Sequence, residues 1–380
     1  MIHELSDERV YEISKSILSK QIDLGMNGYR MTNEMGWDVL LKAASEGGSV
    51  ESSSQDMRQM HSNTLRYHLN ARFDVRQLDK LEREQNAVLE ETLPRALQDR
   101  RVEVAIDFHD EPSYSHNKEV QTYVSRGAAH DGTTRFWRVA TAYVMQQGLR
   151  VTVALLYVLP EHSHLMVIER LLHRIEQHRV QIKVLYLDKG FCSGPIIQYL
   201  QHRRQPTIMA CPIRGQQGGT RALCRGRGSY RTAYTFTDGT QVDMVVVLTK
   251  PLTKDAKRRR KWLLYVTIGV SWPPKKVKQR YRRRFGVETS YRQMRQLRIF
   301  STSRNPALRF FLYGLSFLLL NIWTWLRWKF TRRLQPGPYQ LIENALPLSL
   351  FTAFLRRSIE RLFSVRSCIP THFPPEFVIY

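Results

Sequence analysis

The sequence predicts a mixed α/β fold: one sheet with helices on its faces, preceded by a helical region. Three observations predict it. Residues 1–100 show helical spacing and cap signals rather than sustained alternation. From Arg101 apolar and other residues alternate with period two, as Val102, Val104 and Ile106 do against Glu103, Ala105 and Asp107. Three strands in meander, then helix, strand, helix and strand, follow in chain order, a pattern that fits one mixed sheet better than separate sandwiches.

In residues 1–100, Trp37–Ala44 reads as a helix that breaks at Gly47-Gly48, and Ser54–Met60 as a short polar helix. The helix Ser62–Arg72 starts on a Ser62 or Asn63 cap and buries Leu65 and Leu69 at i, i+4. Thr64, Arg66, Tyr67, His68 and Asn70 are left free for a DNA groove, as in a helix-turn-helix, with plain bundle packing as the alternative. The heptad-like stretch Val75 to Leu97, with Leu78, Leu81, Val88 and Leu89, reads as a bridge to the next domain. That domain spans 101–330. After the strand ending at Asp107 come strands Phe136–Met145 and Leu149–Leu159, turning at Gln147-Gly148, and a helix around His164–His178. A strand then ends at Asp188, followed by a helix Gly194–His202 and a strand Thr207–Cys211. Residues 212–250 interrupt the pattern. Arg214–Gly219 forms a flexible, basic, Gly-rich loop without the Gly-Lys-Ser/Thr ending of a phosphate-binding loop. Tyr230–Thr237 and Thr240–Leu248 then make a hairpin about Asp238-Gly239, whose Tyr230, Tyr234 and Phe236 could stack on an unpaired base or simply pack. Strand Trp262–Val270 ends at Pro273-Pro274, where a very basic helix begins.

From Phe310 to Leu326 the chain runs 17 residues without a charge. The run falls short of the roughly 20 apolar residues a membrane span prefers. An Asn305 cap and Pro306 open it as a soluble helix would, so it reads as a core helix, with a membrane span as the lesser alternative. Residues 331–380 form a C-terminal tail, a possible partner contact.

The chain holds 58 Lys and Arg against 34 Asp and Glu, a net charge of +24. Residues 1–100 carry −4 and the rest +28. A positive field of that size selects polyanions, so nucleic acid is the leading partner, with a merely solvated surface charge as the alternative. Cys192, Cys211, Cys224 and Cys368 form no CxxC pair and read as reduced thiols. The N-terminus lacks the basic and apolar regions of a signal peptide. Cytoplasmic, nucleoid-associated location is expected, without a membrane.

Three acids stand out: Asp107 and Asp188, each closing an apolar run, and Glu288 in the basic helix. Two carboxylates at strand ends and a third from a helix can converge on divalent metal. Tyr281, Arg284, Glu288 and Arg295 lie at i, i+3, i+7 and i+14, within one stripe about 60° wide on an ideal helix. Residues 251–300 contain 16 Lys and Arg but only two acids, Asp255 and Glu288. Asp110 and Glu111 compete with Asp107 for the first site. His109, Asp110 and His116 beside Asp107 offer a zinc site or general base, although they lack the i, i+4 histidines or thiols such sites use.

The spacing Y-x2-R-x3-E-x6-K/R, with Arg295 where Lys is usual, resembles the Y-R-E-K signature of the DDE-type insertion-sequence transposases of bacteria and archaea. Asp107, Asp188 within Leu187–Phe191, and Glu288 match that family's acidic triad in order. The resemblance spans about residues 100–330. It implies a ribonuclease-H-like core holding two Mg²⁺, with Mn²⁺ as a substitute, on Asp107, Asp188 and Glu288. It implies cleavage at element ends and strand transfer into target DNA, and a homodimer on double-stranded DNA. It places Tyr281, Arg284 and Arg295, with neighbouring Arg292 and Arg298, on transposon-end DNA. A nuclease without strand transfer and an inactive DNA-binding derivative are the alternatives.

Overall fold

Alternation along the strands decides which way each side chain faces, and here it builds three layers. The computed structural model describes residues 4–29, 31–57, 61–97, 100–145, 150–249, 261–331, 341–342, 344–363 and 365. The chain opens with α1 (Asp7–Gln21), whose Ser6 cap accepts from the Arg9 amide at 3.2 Å. A small ribbon, β1 (Asn27–Gly28) and β2 (Met31–Thr32), leads to α2 (Asn33–Glu46), which ends on Gly47 at φ +61°. Only a residue tolerant of the left-handed region closes a helix that way. There follow α3 (Val50–Asp56), α4 (Ser62–Arg72) and α5 (Leu78–Glu91). On α4, Leu65 and Leu69 are buried, and Arg66, Tyr67 and Asn70 are exposed.

The sheet begins at β3 (Arg101–Pro112) and, after the short α6 (Lys118–Gln121), adds β4 (Ser125–His130), β5 (Thr133–Val144) and β6 (Thr152–Val158). Then come α7 (His164–Gln177), β7 (Gln181–Leu187), α8 (Gly194–His202) and β8 (Thr207–Cys211). The hairpin β9 (Tyr230–Thr235) and β10 (Gln241–Thr249) precedes β11 (Lys261–Ile268). The turn expected at Gln147-Gly148 lies outside the described residues. Among those described, nine strands run in the order β4-β5-β3-β7-β8-β11-β10-β9, with β6 beside β5. β3, β7 and β8 are parallel and the remaining pairings antiparallel. The segment expected as an insertion therefore extends the main sheet. β11 pairs with β8, and Met244, Val246, Leu264 and Val266 continue the apolar face that Leu187 and Met209 begin.

Val104, Ile106, Leu185 and Leu187 face one core, packed with the apolar side chains of α7 and α8. Ala105, Val184 and Tyr186 face the other, which is filled by the N-terminal helices and by α11 (Pro306–Phe330). α11 is apolar and long enough to cross a membrane, but 94% of its most apolar window is buried inside the fold. It is the core helix its cap predicts, with Asn305 accepting from the Ala307 amide at 2.9 Å.

The stretch expected as a bridge is instead a packing helix. On α5, Glu82 and Asn86 meet the open edge of β6. Asn86 accepts from the Leu155 amide at 3.0 Å and donates to the Leu155 carbonyl at 2.8 Å, while Glu82 accepts from the Tyr157 amide at 3.3 Å. Asn321 of α11 does the same for Thr152, at 2.9 and 2.7 Å. An unpaired strand edge would otherwise bury polar backbone without partners. Helix α12 (Leu348–Leu362) buries Phe351, Leu355 and Ile359 and packs on α1 and α2. This stretch of the tail is thus used within the chain; residues 366–380 lie outside the described ones.

Candidate active site

β3 does not end at Asp107 as its apolar run suggests. It continues to Pro112 against β5, but its pairing with β7 stops at Ile106 opposite Leu187. Asp107 and Asp188 are therefore the first residues beyond the last shared rung of two neighbouring parallel strands. Ile106 faces the α7–α8 core, so Asp107 faces the opposite side, where the basic helical segment lies.

That segment is three pieces rather than one helix: α9 (Pro274–Tyr281), a 3-10 turn Arg282–Phe285, and α10 (Gly286–Met294). In a 3-10 turn side chains at i and i+3 eclipse. Arg284 accordingly lies over the Tyr281 ring, 5.6 Å from its centroid. The Tyr281 hydroxyl donates to the Leu187 carbonyl at 3.1 Å, fixing the end of β7 one residue before Asp188. Arg284 Nη1 donates to Asp107 Oδ2 at 2.8 Å, and its Nη2 lies 3.6 Å from Asp188 Oδ1. One guanidinium is held between the Asp107 and Asp188 carboxylates.

Of the residues expected on DNA, this packing turns two inward. Tyr281 is 5% exposed and Arg284 7%, because aromatic burial and the two carboxylates draw them inward. Arg292 and Arg295 are exposed. Arg298 is partly buried and paired with Glu111, which Arg309 also reaches at 3.3 Å. Asp110 is held by Arg138 at 2.7 and 2.8 Å. Both competitors of Asp107 are thus neutralised by arginines outside the Asp107–Asp188 pair. His109 stacks on Tyr313 at a centroid distance of 5.3 Å and meets the tilted Tyr291 ring at 4.6 Å. Burial pushes its pKa down to about 4, helped by the nearby Arg295 charge, so it is neutral. Tyr234 and Phe236 pack edge to face at 5.1 Å, and the Tyr230 hydroxyl donates to the Leu223 carbonyl at 2.5 Å.

Burial raises the Asp107 pKa to about 6. The Arg284 charge pulls it back down, and the neighbouring Asp188 carboxylate adds to the rise. Two carboxylates close enough to feel one another, with a cation between them, are a hard-oxygen donor pair of the kind Mg²⁺ and Mn²⁺ take. The Arg284 guanidinium stands where a cation is wanted, and its Nε is buried without a hydrogen-bond partner. The residues present fit a divalent metal. Among the described residues no three His, Cys, Asp or Glu side chains cluster for a metal, and the Glu288 side chain, on α10, lies outside them.

Comparison with known proteins agrees with this geometry. A family model described as a transposase DDE domain matches residues 105–322. No curated protein matches the chain by sequence. Among solved structures, the cryo-EM structure of the piggyBac transposase synaptic complex with hairpin DNA is similar, with a TM-score of 0.58 at 10% identity. The match covers 96% of this chain and 78% of that one. The fold shared with it is a ribonuclease-H-like mixed sheet flanked by helices.

Proposed function

The chain belongs to the transposase DDE domain family, and on that premise we propose that it cleaves DNA at the ends of an insertion element and joins those ends to target DNA. The observation that carries this reading is the placement of Asp107 and Asp188 just beyond the last shared rung of two neighbouring parallel strands, around one cation. Asp107, Asp188 and Glu288 would hold two divalent ions, Mg²⁺ or Mn²⁺. When bound, such metal supplies a lowered pKa to the attacking hydroxyl and charge stabilisation to the leaving oxygen.

The remaining work belongs to the chain. Tyr281 sets the end of β7 and so the direction of Asp188. Arg284 neutralises the two carboxylates until a metal competes for the same oxygens. Displaced from the carboxylates by a metal, it would be free to contact DNA, which is how the expected DNA contact of Arg284 fits its burial. Arg292 and Arg295 already face outward for the end backbone. Cleavage and joining are both displacements at phosphorus, so a single site serves both and no covalent protein–DNA link is needed. Joining two ends calls for a homodimer on DNA, a reading supported by the synaptic assembly of the similar structure, and for residence at the nucleoid in the cytoplasm.

The test is to incubate the purified chain with DNA flanking its own gene, in Mg²⁺ and in Ca²⁺, beside Glu288→Gln. Mg²⁺-dependent nicks at defined ends, absent in the variant, are expected, with joined products. Nicks without joining would make it a nuclease. Tight binding without cleavage in any metal would make it an inactive binding protein.

A further inference from the structure

We propose that the loop between β8 and β9, residues 212–229, is a docking surface for the sugar-phosphate backbone of duplex DNA beside the cleavage site. The proposal rests on Asp107 and Asp188 marking that site. From Lys189 to Thr237 the chain holds eight Lys and Arg and no Asp or Glu. A merely solvated face mixes both signs. Within the loop, Arg214, Arg221, Arg225 and Arg227 are exposed. Among the described residues, Arg214, Arg225 and Arg227 make no ion pair with an acid.

The sequence suggests a flexible loop, but the structure staples it. The Thr220 hydroxyl donates to the Pro212 carbonyl and accepts from the Arg214 amide, both at 2.8 Å. The Arg221 amide donates to the Arg214 carbonyl at 3.1 Å, and the Tyr230 hydroxyl to Leu223 closes the far side. Gly215 at φ +91° and Gly226 at φ +89° supply the reversals. The arginines are therefore displayed on a preformed surface, which lowers the entropic cost of gripping phosphates.

Topology puts this surface next to the acids. β8 is the parallel neighbour of β7, with Leu187 opposite Met209, so the loop leaves the same sheet edge as Asp188. Cys211, the last residue of β8 at the base of the loop, donates its thiol to the Pro212 carbonyl at 3.6 Å. β3 and β8 are two strand spacings apart, about 10 Å. At about 3.4 Å per base pair, the loop would meet phosphates roughly three base pairs from the cut.

The experiment compares the wild-type chain with Arg214→Gln/Arg225→Gln/Arg227→Gln. It measures binding to duplex DNA flanking the gene, in Ca²⁺, across a salt series, with thermal midpoints confirming that both fold. Loss of three phosphate contacts should lower the slope of log K against log salt by about 2–3, whatever the sequence. Ethylation interference should lose its signal at phosphates about three base pairs from the nick. An unchanged slope and interference pattern in the variant overturns the loop proposal alone. Absence of salt-dependent binding by the wild-type chain overturns it together with the DNA reading.

Discussion

Asp107→Asn should make the protein more stable at neutral pH, and the amount follows from the site. The Asp107 carboxyl titrates at about 6 in the fold, against 3.8 ordinarily. The folded state thus holds the Asp107 proton more tightly than the unfolded chain does. Below about pH 4 both states are protonated and there is no penalty. As pH rises through 4 to 6 the folded state must ionise a buried acid, so stability is lost, and above 6 the loss is complete. A shift near two units is worth about 3 kcal/mol at about 1.4 kcal/mol per unit. The Asp107 side chain is 18% exposed, so solvent screening removes little of this. Asparagine matches the neutral acid in shape, and Arg284 keeps Asp188 as its partner. Thermal unfolding followed by circular dichroism should show the variant about 4 °C higher at pH 7.5, taking about 2.1 cal/mol/K per residue, and equal to wild type at pH 3.5. Added Ca²⁺ should raise wild type and leave the variant unmoved. A variant less stable at pH 7.5, or shifted equally at both pH values, would refute the reasoning.

Four further outcomes are expected. Glu288→Gln and Asp188→Asn should abolish cleavage while DNA affinity in Ca²⁺ stays within a few-fold, read by gel shift beside a nicking assay. At sub-saturating Mg²⁺, cleavage by the wild-type chain should fall as pH drops below about 6, because a proton on Asp107 competes with the metal; a flat profile down to pH 5 at low Mg²⁺ would count against Asp107 in that role. Arg284→Gln should bind Mn²⁺ at least tenfold more tightly without DNA, by electron paramagnetic resonance titration, and its salt slope for DNA should fall by about one only when metal is present. Equal Mn²⁺ affinity would deny any competition between guanidinium and metal. Asn321→Leu should cost about 2–4 kcal/mol in urea unfolding by leaving the Thr152 amide and carbonyl buried and unpaired. A cost under 1 kcal/mol would mean that the β6 edge is satisfied otherwise.

Most of the fold was legible because it rests on periodicity. The strand to Leu187, the helix Gly194–His202 and the strand Thr207–Cys211 appear in the structure within a residue or so of their predicted limits, since apolar alternation and helix caps act locally. What stayed hidden depends on partners far along the chain. Nothing near Glu82 or Asn86 announces a strand edge some 70 residues away, although Asn321 inside an otherwise apolar run is a sign that a buried backbone group needs a partner. The β9–β10 hairpin read as an insertion because a basic, Gly-rich loop separates it from β8. Its pairing with β11, and β11's with β8, is set by apolar faces that no local motif reports.

The aspartate pair was legible and its environment was not, and charge is the reason. An arginine-rich segment looks like a surface, because most such segments are solvated. Here Tyr281 and Arg284 turn inward because two carboxylates and a strand-end carbonyl are waiting there. Sequence-level rules fail where a site keeps groups that stability alone would not choose. A buried Asp107 with a raised pKa and an Arg284 whose Nε lacks a partner are such groups. A divalent ion between the carboxylates would remove the penalty on the first and release the second toward DNA. The features that destabilise the unloaded chain are thus the ones that favour loading. Asp107→Asn and Arg284→Gln separate the two contributions: the first should relieve the penalty and lose the metal, and the second should gain the metal without relieving Asp107.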